Sequence, residues 1–349
     1  MTMQPPAITG FGSVSPFGPL AGLIPPRVLE PSPITAWETS GLRRAFLVEP
    51  FQPAAIVPGL KTRRLDRLSA WAMVASSLAL QDAGIDLTQL DRTRVAVVFA
   101  TGFGCVELTE AFYQSAAVNG WSGTDPITFP ETLANAPASH VALFHGLQGP
   151  NLTIGCKSFA TECALLHAAS LLRHNQADLA LVLSGDTLTQ AVYEWYEAAH
   201  LLSPACFHDV PLSATRGFVP SEGVVACVLQ PSGSSTSRSY ASLLDGRWAN
   251  GGTPHRSIQQ MLGSSIPNLT ICAGSGAPCI TGSAACMARE FTNPAAAILA
   301  AQPVAAGLAD SGGLFHLILA LSSNPPKGKA LMLATSGDSG FATLLLELQ

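Results

Sequence analysis

The chain has 349 residues, 48% apolar and 12% charged, with a net charge of −5. That length buries a large core, or two fused halves of one. So few charges point to a surface partly covered by a partner, and the acidic balance leaves no basic footprint for nucleic acid. The opening MTMQPPAITGFG has neither a basic n-region nor an apolar h-region, so no signal peptide is expected. Residues 295–321 are apolar but broken by Gln302, Pro303, Asp310 and several glycines, so no membrane span is expected either. Eight cysteines lie scattered without CxxC or Cys/His spacing. That distribution predicts free thiols in a reducing cytoplasm, with no metal site and no cofactor implied.

In chain order, residues 7–18 (AITGFGSVSPFG) read as an opening strand and a Gly/Pro turn. Residues 19–58 carry many prolines and no clear period, which predicts a surface loop region. Residues 63–84 form an amphipathic helix pattern with Leu65, Leu68, Trp71, Ala72, Val74, Ala75, Leu78 and Ala79 toward one side and Gly84 as the stop. Residues 94–100 (RVAVVFA) read as a buried strand. The TGFG turn at 101–104 lacks a full GxGxxG and an acidic residue at the ribose spacing, so the nucleotide-loop reading is set aside.

The stretch 149–185 is the most informative. After Gly149-Pro150, Asn151 to Ile154 favours a strand, Ser158 to His174 follows a helical period, and Ala177 to Leu183 is an apolar run of the buried parallel-strand kind. Strand, tight turn, helix, strand is a βαβ unit. Its turn sits at a helix N-terminus, where free N–H groups and the helix dipole favour a nucleophile or an oxyanion. Downstream, GFVPSEG at 217–223 leads into a strand at 224–229, a polar connector covers 230–238, and Tyr240 to Leu244 reads as the next strand. Residues 270–278 (TICAGSGAP), 303–321 and 336–346 (SGDSGFATLLL) take their reading from a family resemblance, which implies a strand, a Gly-rich start with a helix, and a closing turn and strand.

These segments together resemble the β-ketoacyl-acyl carrier protein synthases, the condensing enzymes of the thiolase fold. The likeness runs from about residue 7 to the end, in a chain shorter than typical members, mostly after residue 230. It implies an α/β, thiolase-like fold of duplicated α-β-α-β-α layers with two mixed five-stranded sheets. An N-terminal half would span 1–230 and a shortened C-terminal half 231–349. It also implies that residues 128–150 cross a subunit interface and that Asn151, Leu152, Thr153 and Ile154 pair across a two-fold axis.

The same resemblance locates the chemistry and finds it missing. Counting forward from Gly149-Pro150 and backward from Ala177-Asp178 both place the family's catalytic Cys at Ser158, while Cys156 and Cys163 fall at neither count. The two family His positions fall at Ala273 and Ala306, and the family Lys near Ala301. A Ser hydroxyl without an adjacent base stays protonated, and alanines neither accept a proton nor donate to an enolate. The resemblance then points to a chain length factor: a ketosynthase-like subunit without the triad that pairs with an active ketosynthase, meets acyl carrier protein through the complex, and sets product length in type II polyketide or aryl polyene synthesis. Thr132, Leu133 and Ala136, small or medium residues at helical spacing, are the candidate pocket wall. Two other readings stay open. One is an acyltransferase or hydrolase using Ser158, with a base from His200, His208 or His255. The other is a homodimeric acyl-binding scaffold. His316, inside the last helix pattern, reads as a helix-face or partly buried histidine.

Overall fold

The computed structural model describes residues 4–25, 29–37, 41–156, 159–208, 217–233, 238–250, 254–273, 291, 297–300, 312–335 and 340–349. Ten strands follow one hydrogen-bonded path. In the first half, β1 (Pro6–Ser15), β5 (Val95–Ala100), β6 (Asn151–Ile154), β7 (Leu179–Asp186) and β8 (Gly223–Pro231) lie in the order β6-β5-β7-β8-β1. In the second, β9 (Ala241–Asn250), β10 (Leu269–Ala273), β11 (Ala297–Ala300), β12 (Gly328–Thr335) and β13 (Gly340–Leu348) lie in the order β11-β10-β12-β13-β9. Each half has two parallel pairings on its outer side, β5 with β6 and β7, β10 with β11 and β12, and antiparallel pairings inward. The strand arrangement is therefore duplicated. The two five-stranded units are not separate, however: Ala7 pairs with Ser242 and Ile8 with Ala241, joining them into one sheet path.

Side-chain alternation along the strands builds the layers. Ala96, Val98 and Ala100 of β5, Val182 of β7 and Cys227 of β8 face one core, shared with Met332 of β12 and Leu344 of β13. Helices α5 (Ala160–Arg173) and α8 (Gly313–Ser322) fill that core. α5 touches β5, β7 and β8 as well as β9 and β13, so it lies between the halves. The alternate residues Val95, Val97 and Phe99, with Leu181, Leu183 and Val224, face a second core under α2 (Arg67–Ala83) and α4 (Ala136–His145). On the far side, α7 (Pro254–Leu262) covers Cys272, Leu331, Leu333 and Leu345. The result is the expected sequence of helix, sheet, helix pair, sheet, helix.

α2 begins four residues later than its apolar pattern, because the buried Asp66 caps it through Leu68 N at 2.9 Å. It ends at Gly84 in the left-handed conformation (φ 66°). The proline-rich segment 19–58 is not simply a surface loop. It holds β2 (Gly18–Ala21), the short ladder β3–β4 (Ser32–Pro33 with Arg44–Ala45) and α1 (Pro53–Ile56). Ile24, Ala45, Phe46 and Val48 along it are buried. β1 lies hard against α2. A Cβ on Gly10 would stand 2.5 Å from Ala79 O, and one on Gly12 would overlap Ala75 O and Ala79 N. Gly12→Ala should therefore destabilise the fold by about 1–3 kcal/mol, the usual cost of overpacking. Chemical denaturation measures it; an unchanged midpoint would mean that α2 shifts freely.

Candidate functional site

Parallel strands β5, β6 and β7 end together, and open sheets bind ligands at the carboxyl ends of such strands. Four features collect there: the TGFG turn after β5, the turn after β6, the first turn of α5, and the start of α8.

The TGFG turn is already occupied. Asp186, at the end of β7, accepts hydrogen bonds from Thr101 Oγ1 (2.5 Å), Gly102 N (3.0 Å) and Phe103 N (2.9 Å). The amides that a phosphate would need are spent on an internal carboxylate. A second buried carboxylate, Glu222, binds Val48 N at 3.2 Å, Leu188 N at 3.1 Å and the Arg67 guanidinium at 3.1 Å. Burial raises its pKa against those donors. Both groups hold loops in place around the strand ends.

Of the three positions expected to carry a degenerate triad, Ser158 and Ala306 lie outside the described residues, as does Ala301. Ala273 is the last residue of β10, in register with Ala334 of β12. The neighbours of the turn are described. Thr161 Oγ1 donates to Ser184 Oγ at 2.9 Å, tying α5 to β7. Cys156 and Cys163 contact each other through their thiols. Burial raises the Cys156 pKa and pushes that of Cys163 to about 12, so neither is an activated thiolate near neutrality. Glu162 and His316 are both buried in this region. His316 thus sits deeper than a helix-face residue. Sequence reasoning passed over Glu162, although an acidic residue inside an apolar helical pattern was a signal.

The proposed bases are scattered. His200 and His208 are exposed near the end of α6 (Gln190–Ala198). His255 lies on α7, across the second sheet from α5. The pocket candidates do not share a helix either. Thr132 ends a single 3-10 turn, Leu133 follows it 42% exposed, and Ala136 opens α4 buried at 6%. The break falls at Leu133 to Asn135, with Pro130 and Pro137 each in the first turn of its own element.

β6 pairs only with β5 among the described residues, which leaves its other edge open. Asn151 and Leu152 are exposed, and Thr153 and Ile154 are partly so. Asn151 Nδ2 donates to Ala138 O at 3.1 Å, anchoring the strand to α4. On α4, which packs against it, Leu143 is 77% exposed.

Residues 25–234, more than half of the chain, match the family model "Beta-ketoacyl synthase, N-terminal domain". The chain belongs to the β-ketoacyl synthase family. A 3-oxoacyl-[acyl-carrier-protein] synthase 2 of Coxiella burnetii is 27% identical over 235 residues, covering 64% of this chain and 56% of that protein. Nodulation protein E of Rhizobium leguminosarum bv. trifolii is 29% identical over 230 residues, covering 64% of this chain and 57% of that protein. The chain thus spans under three-fifths of the length of these relatives. Among solved structures, "The ishigamide ketosynthase/chain length factor" superposes with a TM-score of 0.77 at 20% identity over 99% of both chains. "AntDE:AntF", a type II PKS acyl-carrier protein in complex with its ketosynthase, gives a TM-score of 0.74 at 17% identity over 100% of both chains. These likenesses establish the thiolase-like ketosynthase fold. No helix among the described residues is long and apolar enough to cross a membrane, and none of their His, Cys, Asp and Glu side chains gather into a metal-binding group of three.

Asp186→Ala should leave the TGFG amides buried without an acceptor. The expected loss is about 1–3 kcal/mol, read as a lower denaturation midpoint. Stability equal to wild type would mean that this turn is held by something other than Asp186.

Proposed function

We propose that this chain is a chain length factor-like subunit, which pairs with an active ketosynthase and meets acyl carrier protein through that complex. One observation carries the reading. In a chain of the β-ketoacyl synthase family, the spacing read from the resemblance puts Ser158 at the nucleophile position and alanine, Ala273 and Ala306, at both imidazole positions. The raised thiols of Cys156 and Cys163 offer no replacement sulfur. Similarity to a ketosynthase/chain length factor and to a ketosynthase bound to its carrier protein supports the pairing. The halves 1–230 and 231–349 belong to the same proposal, as does a cytoplasmic setting. Thr132 and Leu133 are the stronger candidates for a wall of the shared acyl pocket; Ala136 is already packed, so bulk there would act on the fold. The pathway, polyketide or aryl polyene, is set by the partner and its substrate.

The reading is tested by turnover. The purified protein should neither condense nor decarboxylate malonyl-carrier protein, and Ser158→Cys should stay inactive because no imidazole stands at 273 or 306. Robust turnover by the wild-type chain alone would overturn it and favour Ser158 as an acyl-transfer nucleophile.

The open β6 edge and the exposed Leu143 on α4 support an interface at Asn151, Leu152, Thr153 and Ile154. Obligate interfaces bury upwards of roughly 2,000 Å² and are apolar at the centre. Leu152→Asp should abolish assembly, since an unpaired buried carboxylate costs several kcal/mol. Native mass spectrometry of the variant reads it, and also separates a heterodimer from a homodimeric scaffold. Assembly at wild-type strength would remove β6 from the interface.

A further inference from the structure

α8 starts without a side-chain cap, its N-cap being Gly312. A carboxyl group lies against its first residue: a Cβ built on Gly313 would stand 2.5 Å from Glu162 Oε1. Glu162 is 1% exposed, and Oε1 has no hydrogen-bond partner among the described residues. His316 shares this side of α8. Residues three apart on a helix share a face, and their side chains lean toward the N-terminus. Its Nδ1 lies 2.8 Å from Gly312 O. A carbonyl oxygen only accepts, so Nδ1 carries the hydrogen and Nε2 is left as an acceptor. The side chain is 7% exposed, and Nε2 also lacks a partner among the described residues. Burial keeps the imidazole neutral and lifts the Glu162 carboxyl to about 7, so Glu162 is a hydrogen-bond donor below that pH.

A buried donor and a buried acceptor at one helix start are complementary to a group that both gives and takes a hydrogen bond. We propose that Glu162 and His316 together bind a single hydroxyl group at the first turn of α8, its hydrogen donated to His316 Nε2 and its oxygen accepting from the Glu162 carboxyl. The hydroxyl is that of a 3-hydroxyacyl chain or of one sequestered water. The chain-borne source rests on the reading of this subunit as an acyl-pocket wall; the water does not.

The test uses the full-length protein, with Glu162→Leu and His316→Leu each deleting one group and Glu162→Gln keeping a donor and an acceptor. Two readouts are taken below about pH 7, where Glu162 is protonated. One is calorimetric titration with the N-acetylcysteamine thioesters of 3-hydroxybutyrate and butyrate; the other is thermal unfolding without ligand. For an acyl hydroxyl, the 3-hydroxy thioester binds about tenfold tighter than the saturated one, Glu162→Gln keeps that preference, and both Leu variants lose it. For a water, the thioesters bind alike or not at all, while both Leu variants unfold at lower temperature and Glu162→Gln unfolds near wild type. The proposal is overturned if the Leu variants keep a 3-hydroxy preference. It is equally overturned if no preference exists and they unfold at or above the wild-type temperature, the outcome for polar groups that nothing satisfies. If Glu162→Leu does not fold, His316→Leu decides alone. Neither readout uses a partner or a product length, so failure here leaves the chain length reading untouched, while failure of that reading removes only the acyl source of the hydroxyl.

Discussion

The structure depends on burying one helix layer from both sides. α5 and α8 have a sheet above and a sheet below, so most of each helix is buried. α5 meets this with small residues: Ala160, Ala164, Ala168 and Ala169 are all fully buried. Small side chains let both sheets approach, with dispersion contacts on every side of the helix. α8 meets it with larger ones, Leu314, Leu317 and Ile318, likewise fully buried. An inescapable consequence concerns the helix ends. Each helix start leaves N–H groups without an intrahelical partner, and here those starts are inside the molecule. Buried polar side chains gather at one such start: Glu162 and His316 both lie at the first turn of α8.

The surrounding loops show how the molecule handles the same problem with its own residues. Asp186 fills the amides of the turn after β5, and Glu222 fills those of two segments far apart in sequence. Both are internal carboxyl groups used as fixed acceptors, so ligand-like geometry at a strand end does not by itself mean a ligand. The two halves are clasped in a similar way. Asp82 on α2 accepts from Phe11 N of β1 at 2.9 Å and from the hydroxyl of Tyr240, just before β9, at 2.9 Å. One side chain thus bridges the first strand of each half where their ladder is only two residue pairs long.

Much of this was legible in the sequence, for physical reasons that differ by element. The apolar runs of β5 and β7 and the period of α2 were readable because both faces, or one continuous stripe, are buried. The segment 19–58 was not, because its buried residues are anchored by distant partners such as Glu222 at Val48 and Pro220 at Phe46 rather than by any local period. The spacing of Thr132, Leu133 and Ala136 imitated a helix, but the chain breaks between the turn ending at Thr132 and the start of α4 at Ala136. Glu162 was missed because periodicity ranks apolar positions and is silent about a charge placed deliberately among them. Its meaning came only from Gly313, a residue far along the chain whose missing side chain makes the room.

In the first half the strands shorten steadily from the middle of the molecule outward. The lengths run 10, 9, 8, 6 and 4 residues from β1 through β8, β7 and β5 to β6. A sheet path this long would ordinarily be a template for uncontrolled growth, since each free edge invites another strand. Here β6, the terminal strand of the first half, offers so few backbone groups that ladder bonding alone gives little purchase. Pairing at such an edge must be selected by the side chains beside it, and a self-complementary contact about a two-fold axis closes after two chains, whereas head-to-tail contact does not. The taper therefore acts as protection against fibre formation, written into strand length rather than into charge.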